Sequence, residues 1–365
     1  MSAVGMAWDT LRRHAGAAFA SGGRLVELDS LRGVAALLVV GFHFTTRYDE
    51  LYGHASAPAF SVPFGHYGVN LFFCISGFVI FMTLERTRTP LDFAVSRFSR
   101  LFPAYWVAVA LTWVVTVGAG LPGKAVPLHD AFANLAMLHG LFHVPHVDGV
   151  YWTLEVELLF YAYMLALFRL RLLARIHLVL VGWIAVRWVY FIVDAKLGIP
   201  LPYIVYRLGI IPYIPFFAIG IATYLSVSRP GVQPLRNAGI VALALVTLGV
   251  TESTPLMIVA SLCAVSLWLA ASGRFTILRH PVLVWLGFIS YTLYLLHENI
   301  GWVVIMLLER HGIDVNIAIV AALGVVLLAA SLLTLLVERP AMRAIRQAYK
   351  ARRNAMVVRA DAPLN

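Results

Sequence analysis

A histidine stands eleven residues beyond an arginine in one largely apolar stretch: Leu28-Asp29-Ser30-Leu31-Arg32-Gly33 runs on to Gly41-Phe42-His43-Phe44. Eleven residues are close to three helical turns, so on a helix Arg32 and His43 point the same way, roughly 16 Å apart along the axis. Asp29 or Ser30 can cap such a helix. An imidazole changes charge near neutral pH, which suits His43 to general-base work. The plain alternatives are a packing histidine with a hydrogen bond and an arginine that snorkels to the membrane boundary. Arg97 and Arg100, within Phe93-Ala94-Val95-Ser96-Arg97-Phe98-Ser99-Arg100, are three apart and share a face if that segment is helical. Guanidinium forks match phosphate oxygens, so the pair suits a phosphorylated ligand; it equally suits a topology anchor. Glu155 and Glu157 in Tyr151-Trp152-Thr153-Leu154-Glu155-Val156-Glu157 point to roughly opposite sides of a helix. Only one can face the centre of a bundle, and spacing does not say which; the other is expected as an interfacial glutamate in water. Ser290, Tyr294 and His297 form a polar stripe with Glu298 beside it, which fits a reacting site or interhelical hydrogen bonding. His139 and His143 have a spacing that can hold zinc, but no cysteine lies near them, and no metal is expected. The apolar part of the same loop, 131–142, is expected as a re-entrant or interfacial helix.

These groups need a frame, and composition supplies it. The chain has 365 residues, 61% hydrophobic and 13% charged, against about 25% charged in soluble domains. Its mean hydropathy is +0.84. So little polar surface leaves lipid to solvate much of the chain. The expected fold is all-α: a polytopic membrane helix bundle of about ten transmembrane helices. Apolar runs lie near 31–46, 68–84, 101–118, 151–168, 178–193, 203–225, 238–250, 256–271, 282–308 and 315–337. The short run 238–250 is the one that leaves full crossing open. Arginine and lysine concentrate in alternate connections, which by the positive-inside rule puts both termini in the cytoplasm. The net charge of +10 is then a topology signal facing anionic lipid, with no nucleic-acid partner expected. Cys74 and Cys263 lie in apolar runs and imply neither a disulfide framework nor a metal site. No cleavable signal is apparent. The expected division is a cytoplasmic tail 1–26, a membrane domain 27–340 and a basic cytoplasmic tail 341–365.

Taken in order, the stretches 28–44, Phe72-Phe73-Cys74-Ile75-Ser76-Gly77-Phe78, 97–106, 152–161, 290–297 and Glu338-Arg339-Pro340 resemble the membrane-bound acyltransferase family 3. The resemblance runs from about 27 to 340. It implies an enzyme that moves acyl groups, most often acetyl, onto hydroxyls of sugars and other acceptors. It implies that Arg32 and His43 match the family's arginine–histidine motif, that Arg97 and Arg100 match its arginine pair, and that Glu157 rather than Glu155 matches its glutamate. Ser290, Tyr291 and His297 match the late motif. Leu158 and Leu159 stand where many members carry a second acid and a glutamine. No appended esterase-like domain is visible, so the chain is expected to act alone or with a partner.

The function expected from the resemblance is O-acetylation of a surface or exported glycan, such as an exopolysaccharide or lipopolysaccharide, at the bacterial cytoplasmic (inner) membrane. The alternatives are a lipid or small-molecule acceptor, and a non-enzymatic transporter or assembly partner. Cytosolic acetyl-CoA is the expected donor, with its phosphates on Arg97, Arg100 and Arg32. His43 is expected to take the acceptor's proton. Glu157 is expected to orient His43 or stabilise its charged form, and Tyr291 or His297 to donate to the oxyanion. An acetyl-histidine intermediate is the alternative to direct transfer.

Overall fold

The computed structural model describes residues 25–360; residues 1–24 of the expected tail 1–26 and the last five residues of the expected C-terminal tail lie outside the described residues. Among the described residues there is no strand, and ten helices are long and apolar enough to cross a membrane. Their main α segments are α1 (Val26–Gly41), α2 (Gly68–Glu85), α3 (Pro90–Ala119), α4 (Trp152–Arg169), α5 (Ile176–Phe191), α6 (Ile214–Ser228), α7 (Pro234–Thr251), α8 (Thr254–Ala271), α9 (Pro281–Arg310) and α10 (Val315–Leu333), several of which extend through short turns into longer spans such as Val26–Tyr52, Leu172–Lys196 and Tyr203–Ser228. An eleventh helix, α11 (Arg339–Ala360), continues α10 through a π turn at Thr334–Glu338.

Helix ends follow local chemistry. Thr89 and Asp92 form a capping box around Pro90, so α3 begins well before the expected apolar run and carries Arg97 and Arg100 on one helix. The run expected at 203–225 is broken instead. A short helix Tyr203–Leu208 stops at Ile210, whose φ of 44° is left-handed, and α6 restarts after Pro212. The doubtful run near 238–250 is part of α7, an 18-residue helix, about 27 Å long and near the thickness of a hydrocarbon core. Much of the segment expected as a basic tail is helical and docked: Arg346 reaches Ser99 Oγ at 3.1 Å, and Arg353 and Tyr349 both bond Asp92 at 2.9 Å.

α6 and α9 are enclosed nearly all round, whereas α5, α7 and α8 keep most of their surface outward. The main packing pairs are α1 with α9, α9 with α10, and α2 with α6. Apolar side chains gain little by leaving lipid for one another, so close backbone approach decides such pairs. A Cβ at Gly33 would overlap the backbone of Leu286 and Gly287, and one at Gly287 would overlap that of Asp29. The α2–α6 crossing uses Gly77 and Gly220 in the same way.

Candidate active site

The α1–α9 crossing sets the site. Ten residues beyond Gly33 stands His43, and ten residues beyond Gly287 stands His297. The two helices run side by side from the crossing, and the two rings meet with His297 Nε2 3.2 Å from His43 Nδ1. His43 lies in a π turn, Phe42–Arg47, a departure from α geometry that often marks functional positions. Trp302 Nε1 donates to the His43 carbonyl at 2.8 Å and holds that turn to α9.

The hydrogen bonds select tautomers. His297 Nδ1 faces the Tyr294 carbonyl at 2.9 Å, so it carries the proton and its Nε2 accepts. His43 Nδ1 faces the Val39 carbonyl at 2.8 Å, so it too is the protonated nitrogen, shared with His297 Nε2. His43 Nε2 is left as a lone pair, 3.4 Å from Glu298 Oε2. A lone pair beside a carboxylate is poised to take a proton brought between them. Lys124 Nζ sits 3.5 Å from Glu298 Oε1 and 4.8 Å over the Trp302 ring.

These groups border a cavity of about 470 Å³, with Arg47, His66, Asn70, Trp152 and Tyr213 also on its wall. A second cavity, of about 90 Å³, lies toward the other end of the bundle and is lined by Arg32, Arg97, Arg100, Ser76, Glu157, Ser290 and Tyr291. Val69, Phe73 and Tyr294 line both, so the cavities abut at those side chains.

The small cavity is basic. Arg100 pairs with Glu338, which lies in the π turn after α10 and is 1% exposed, and sits 5.4 Å from the centre of the Tyr291 ring. Arg97 donates to Ser96 Oγ at 3.1 Å and lies against the Phe93 and Tyr161 rings, while its Nε has no partner among the described residues. Arg32 has no hydrogen bond or ion pair recorded among the described residues. Glu157 accepts from Ser76 Oγ at 3.1 Å and from the Tyr161 hydroxyl.

The expected site residues therefore divide. Arg32, Arg97, Arg100, Glu157, Ser290 and Tyr291 gather in the basic cavity, and His43 lines the wide one. The carboxylate beside His43 is Glu298, not Glu157, because Glu157 is one cavity away and held by Ser76 and Tyr161. His297 is fully buried behind His43 and borders neither cavity, and the Tyr291 hydroxyl is spent on the Leu101 carbonyl at 2.8 Å. Tyr294 is the tyrosine at the junction. Glu298 carried a visible signal, an acid next to a histidine within an apolar run. Lys124 carried none, since only the folded loop brings it there.

Glu155 also departs from expectation. It is fully buried rather than in water, and Arg207 of the short helix Tyr203–Leu208 bonds it at 2.5 Å. His139 and His146 lie beside this pair, 2.6 Å apart. Burial, His146 and Arg207 push His139 down to about 3, and burial and Arg207 push His146 down to about 4, so both are neutral at pH 7. His143 stacks on Tyr203 instead of joining His139. The segment 131–142, expected as a re-entrant or interfacial helix, is instead split between a short helix Leu128–Asn134 and a single turn His139–Phe142. Glu155→Gln is expected to cost about 3–5 kcal/mol by leaving Arg207 with a buried unpaired charge. Thermal unfolding in detergent measures this, and Glu155→Gln with Arg207→Met should recover part of the loss.

A family model described as an acyltransferase domain matches residues 25–336. The chain is 32% identical over 134 residues to protein 2 in the picA locus of Rhizobium radiobacter, covering 33% of this chain and 65% of that one. It is 32% identical over 105 residues to the exopolysaccharide production protein ExoZ of Rhizobium meliloti (strain 1021), covering 27% and 32%. It is 31% identical over 121 residues to nodulation protein 10 of Rhizobium leguminosarum bv. viciae, covering 28% and 33%. The chain thus spans less than two thirds of the length of each of these relatives. No solved structure matches it.

Proposed function

The chain belongs to the membrane-bound acyltransferase family 3, and we propose that it moves an acyl group from acyl-CoA to a hydroxyl of a surface or exported glycan. The observation that carries this reading is the pair of abutting cavities. One is narrow and lined by guanidiniums; the other is wide and holds an imidazole with a free Nε2 beside a carboxylate. The thin arm of a thioester donor, with guanidiniums near its anionic end, suits the first, and an acceptor with a hydroxyl suits the second. The concentration of arginine at the Arg97 end supports a cytosolic face there and an external face at His43, in the bacterial cytoplasmic membrane. Acetyl is the expected acyl group. A glycan acceptor is supported by the aromatic wall of the wide cavity, where Trp152 and Tyr213 lie 5.4 Å apart, and by the similarity to the exopolysaccharide production protein ExoZ.

In this mechanism His43 Nε2 takes the proton as the acceptor oxygen attacks the thioester carbonyl at the junction near Tyr294. Glu298 stabilises the imidazolium that forms. The tetrahedral intermediate then collapses, the carbon–sulfur bond breaks, and the proton passes to the departing thiolate to leave an ester and free CoA. Tyr294 lines both cavities and accepts from Thr153 Oγ1 at 2.9 Å, with its own hydroxyl donating only at 3.4 Å to the Val150 carbonyl, so it is the hydroxyl assigned to the developing negative charge. The arginines hold the donor and take no part in bond making.

The test is proton NMR of base-labile O-acyl groups on the surface polysaccharide of a strain lacking the protein, with and without the wild-type chain restored. A signal that returns with the chain supports the reading. A glycan unchanged by deletion would rule out this acceptor class and direct the assay to lipids and secreted small molecules.

A further inference from the structure

A π turn interrupts the regular helix ladder, so carbonyls within and beside it are open to side-chain donors. The turn Phe42–Arg47 that carries His43 has three. Thr45 Oγ1 donates to the Gly41 carbonyl at 2.7 Å, Trp302 Nε1 to the His43 carbonyl at 2.8 Å, and His54 Nε2 to the Phe44 carbonyl at 3.0 Å. The third comes from the loop 53–64, which follows the short helix Tyr48–Tyr52, and His54 lines neither cavity. Its side chain is nonetheless only 1% exposed. The Phe44 carbonyl can only accept, so His54 Nε2 carries a proton. His54 Nδ1 lies 2.7 Å from Glu309 Oε1 on α9, a side chain 7% exposed. The other Glu309 oxygen accepts from the Ala55 N–H at 3.3 Å, and Asp49 Oδ1 accepts from the His54 N–H at 2.9 Å. The Tyr48 ring packs against the imidazole, with centres 4.7 Å apart. Both ring nitrogens, the backbone and one face of His54 are thus fixed.

We propose that His54 is a positioning residue for acyl transfer: Glu309 aims its ring, and its Nε2 proton holds the Phe44 carbonyl so that the π turn presents His43 Nε2 to the wide cavity. The proposal rests on the acyltransferase reading and adds to it a residue that acts through the backbone, away from both substrates. A buried ionic pair adds little net stability over apolar packing. What this pair fixes is a carbonyl one residue from the base.

Two variants divide the two bonds. The side-chain amide of Gln reaches where Nε2 stands, and that of Asn where Nδ1 stands. His54→Gln therefore keeps a donor for the Phe44 carbonyl and leaves Glu309 without its partner, whereas His54→Asn keeps the Glu309 bond and frees the carbonyl. Turnover is measured on the full chain in liposomes, with acetyl-CoA as donor and base-treated surface polysaccharide as acceptor, per site that binds acetyl-CoA. His54→Asn should lower kcat about tenfold, the scale of one hydrogen bond, with KM for acetyl-CoA within about twofold of wild type. His54→Gln should stay within about threefold in kcat, on the same scale. Thermal unfolding in detergent should rank the two the other way, because His54→Gln strands a buried carboxylate. Turnover that follows stability overturns the proposal, and so does wild-type kcat in His54→Asn. If His54→Gln misfolds, adding Glu309→Gln removes the stranded charge and restores the comparison. Carbethoxylation of His43 by diethyl pyrocarbonate, read by mass spectrometry, needs no acyl donor. Its rate should change several-fold in His54→Asn and stay at the wild-type value in His54→Gln; an unchanged rate in both overturns the positioning. If the expected rates are found while the wild-type chain transfers nothing from acetyl-CoA, the positioning of His43 stands and the acyltransferase reading falls.

Discussion

His43→Ala is expected to lower acyl transfer by about 10²–10⁴-fold, the usual worth of a positioned general base, with the chain still folded in the membrane. The π turn survives the change because Trp302 holds the backbone carbonyl of residue 43 rather than its ring. What disappears is the imidazole nitrogen that faces the wide cavity beside Glu298. A sugar hydroxyl is a weak nucleophile without such a base. Steady-state turnover in liposomes at matched protein level measures the effect; a variant within a few-fold of wild type would make His43 structural. A single turnover with labelled donor and no acceptor separates direct transfer from an acyl-histidine. Direct transfer leaves wild type unlabelled, whereas a covalent intermediate labels wild type and not His43→Ala.

Gly287→Val should be at least as severe, for a different reason. Any side chain at residue 287 meets the backbone of Asp29 on α1, and backbone cannot swing aside as a flexible side chain can. Overpacking typically costs about 1–3 kcal/mol. Here the helices must also separate, and the separation reaches the site ten residues further on, where His43 and His297 touch at 3.2 Å. The expected result is a lower unfolding temperature in detergent and loss of nearly all transfer. Val at Gly118 or Gly239, where an added Cβ meets nothing within 4 Å, is the matched control and should change neither. Equal behaviour at residues 287 and 239 would show that the crossing does not set the site.

Much of the basic cavity was legible in the sequence. Arg97 and Arg100 share a helix because Thr89-Pro90 starts α3 early, and that start is written in local capping chemistry. Arg32 and His43 lie on one helix because their spacing is nearly three turns. The choice of a carboxylate for His43 was not legible. Glu157 and Glu298 are both acids in apolar runs, and nothing in either run says which faces α1. Glu155 looked like the residue left to water, yet Arg207, more than fifty residues later, makes its burial tolerable. Lys124 sits in a loop whose path depends on every helix around it.

Membrane composition explains the division. A bilayer core offers no water to a bare backbone, so an apolar chain of this length is driven into helices about one hydrocarbon thickness long. Number and approximate boundaries of spans therefore follow from composition and caps. Lateral arrangement does not, because lipid solvates an apolar helix face about as well as a neighbouring helix does. The glycine crossing of α1 and α9 and a few buried polar bonds decide it. These join residues such as Asp29 and Gly287, or His43 and Glu298, that lie about 255 positions apart in the sequence, so only the tertiary structure could show which base meets which acid.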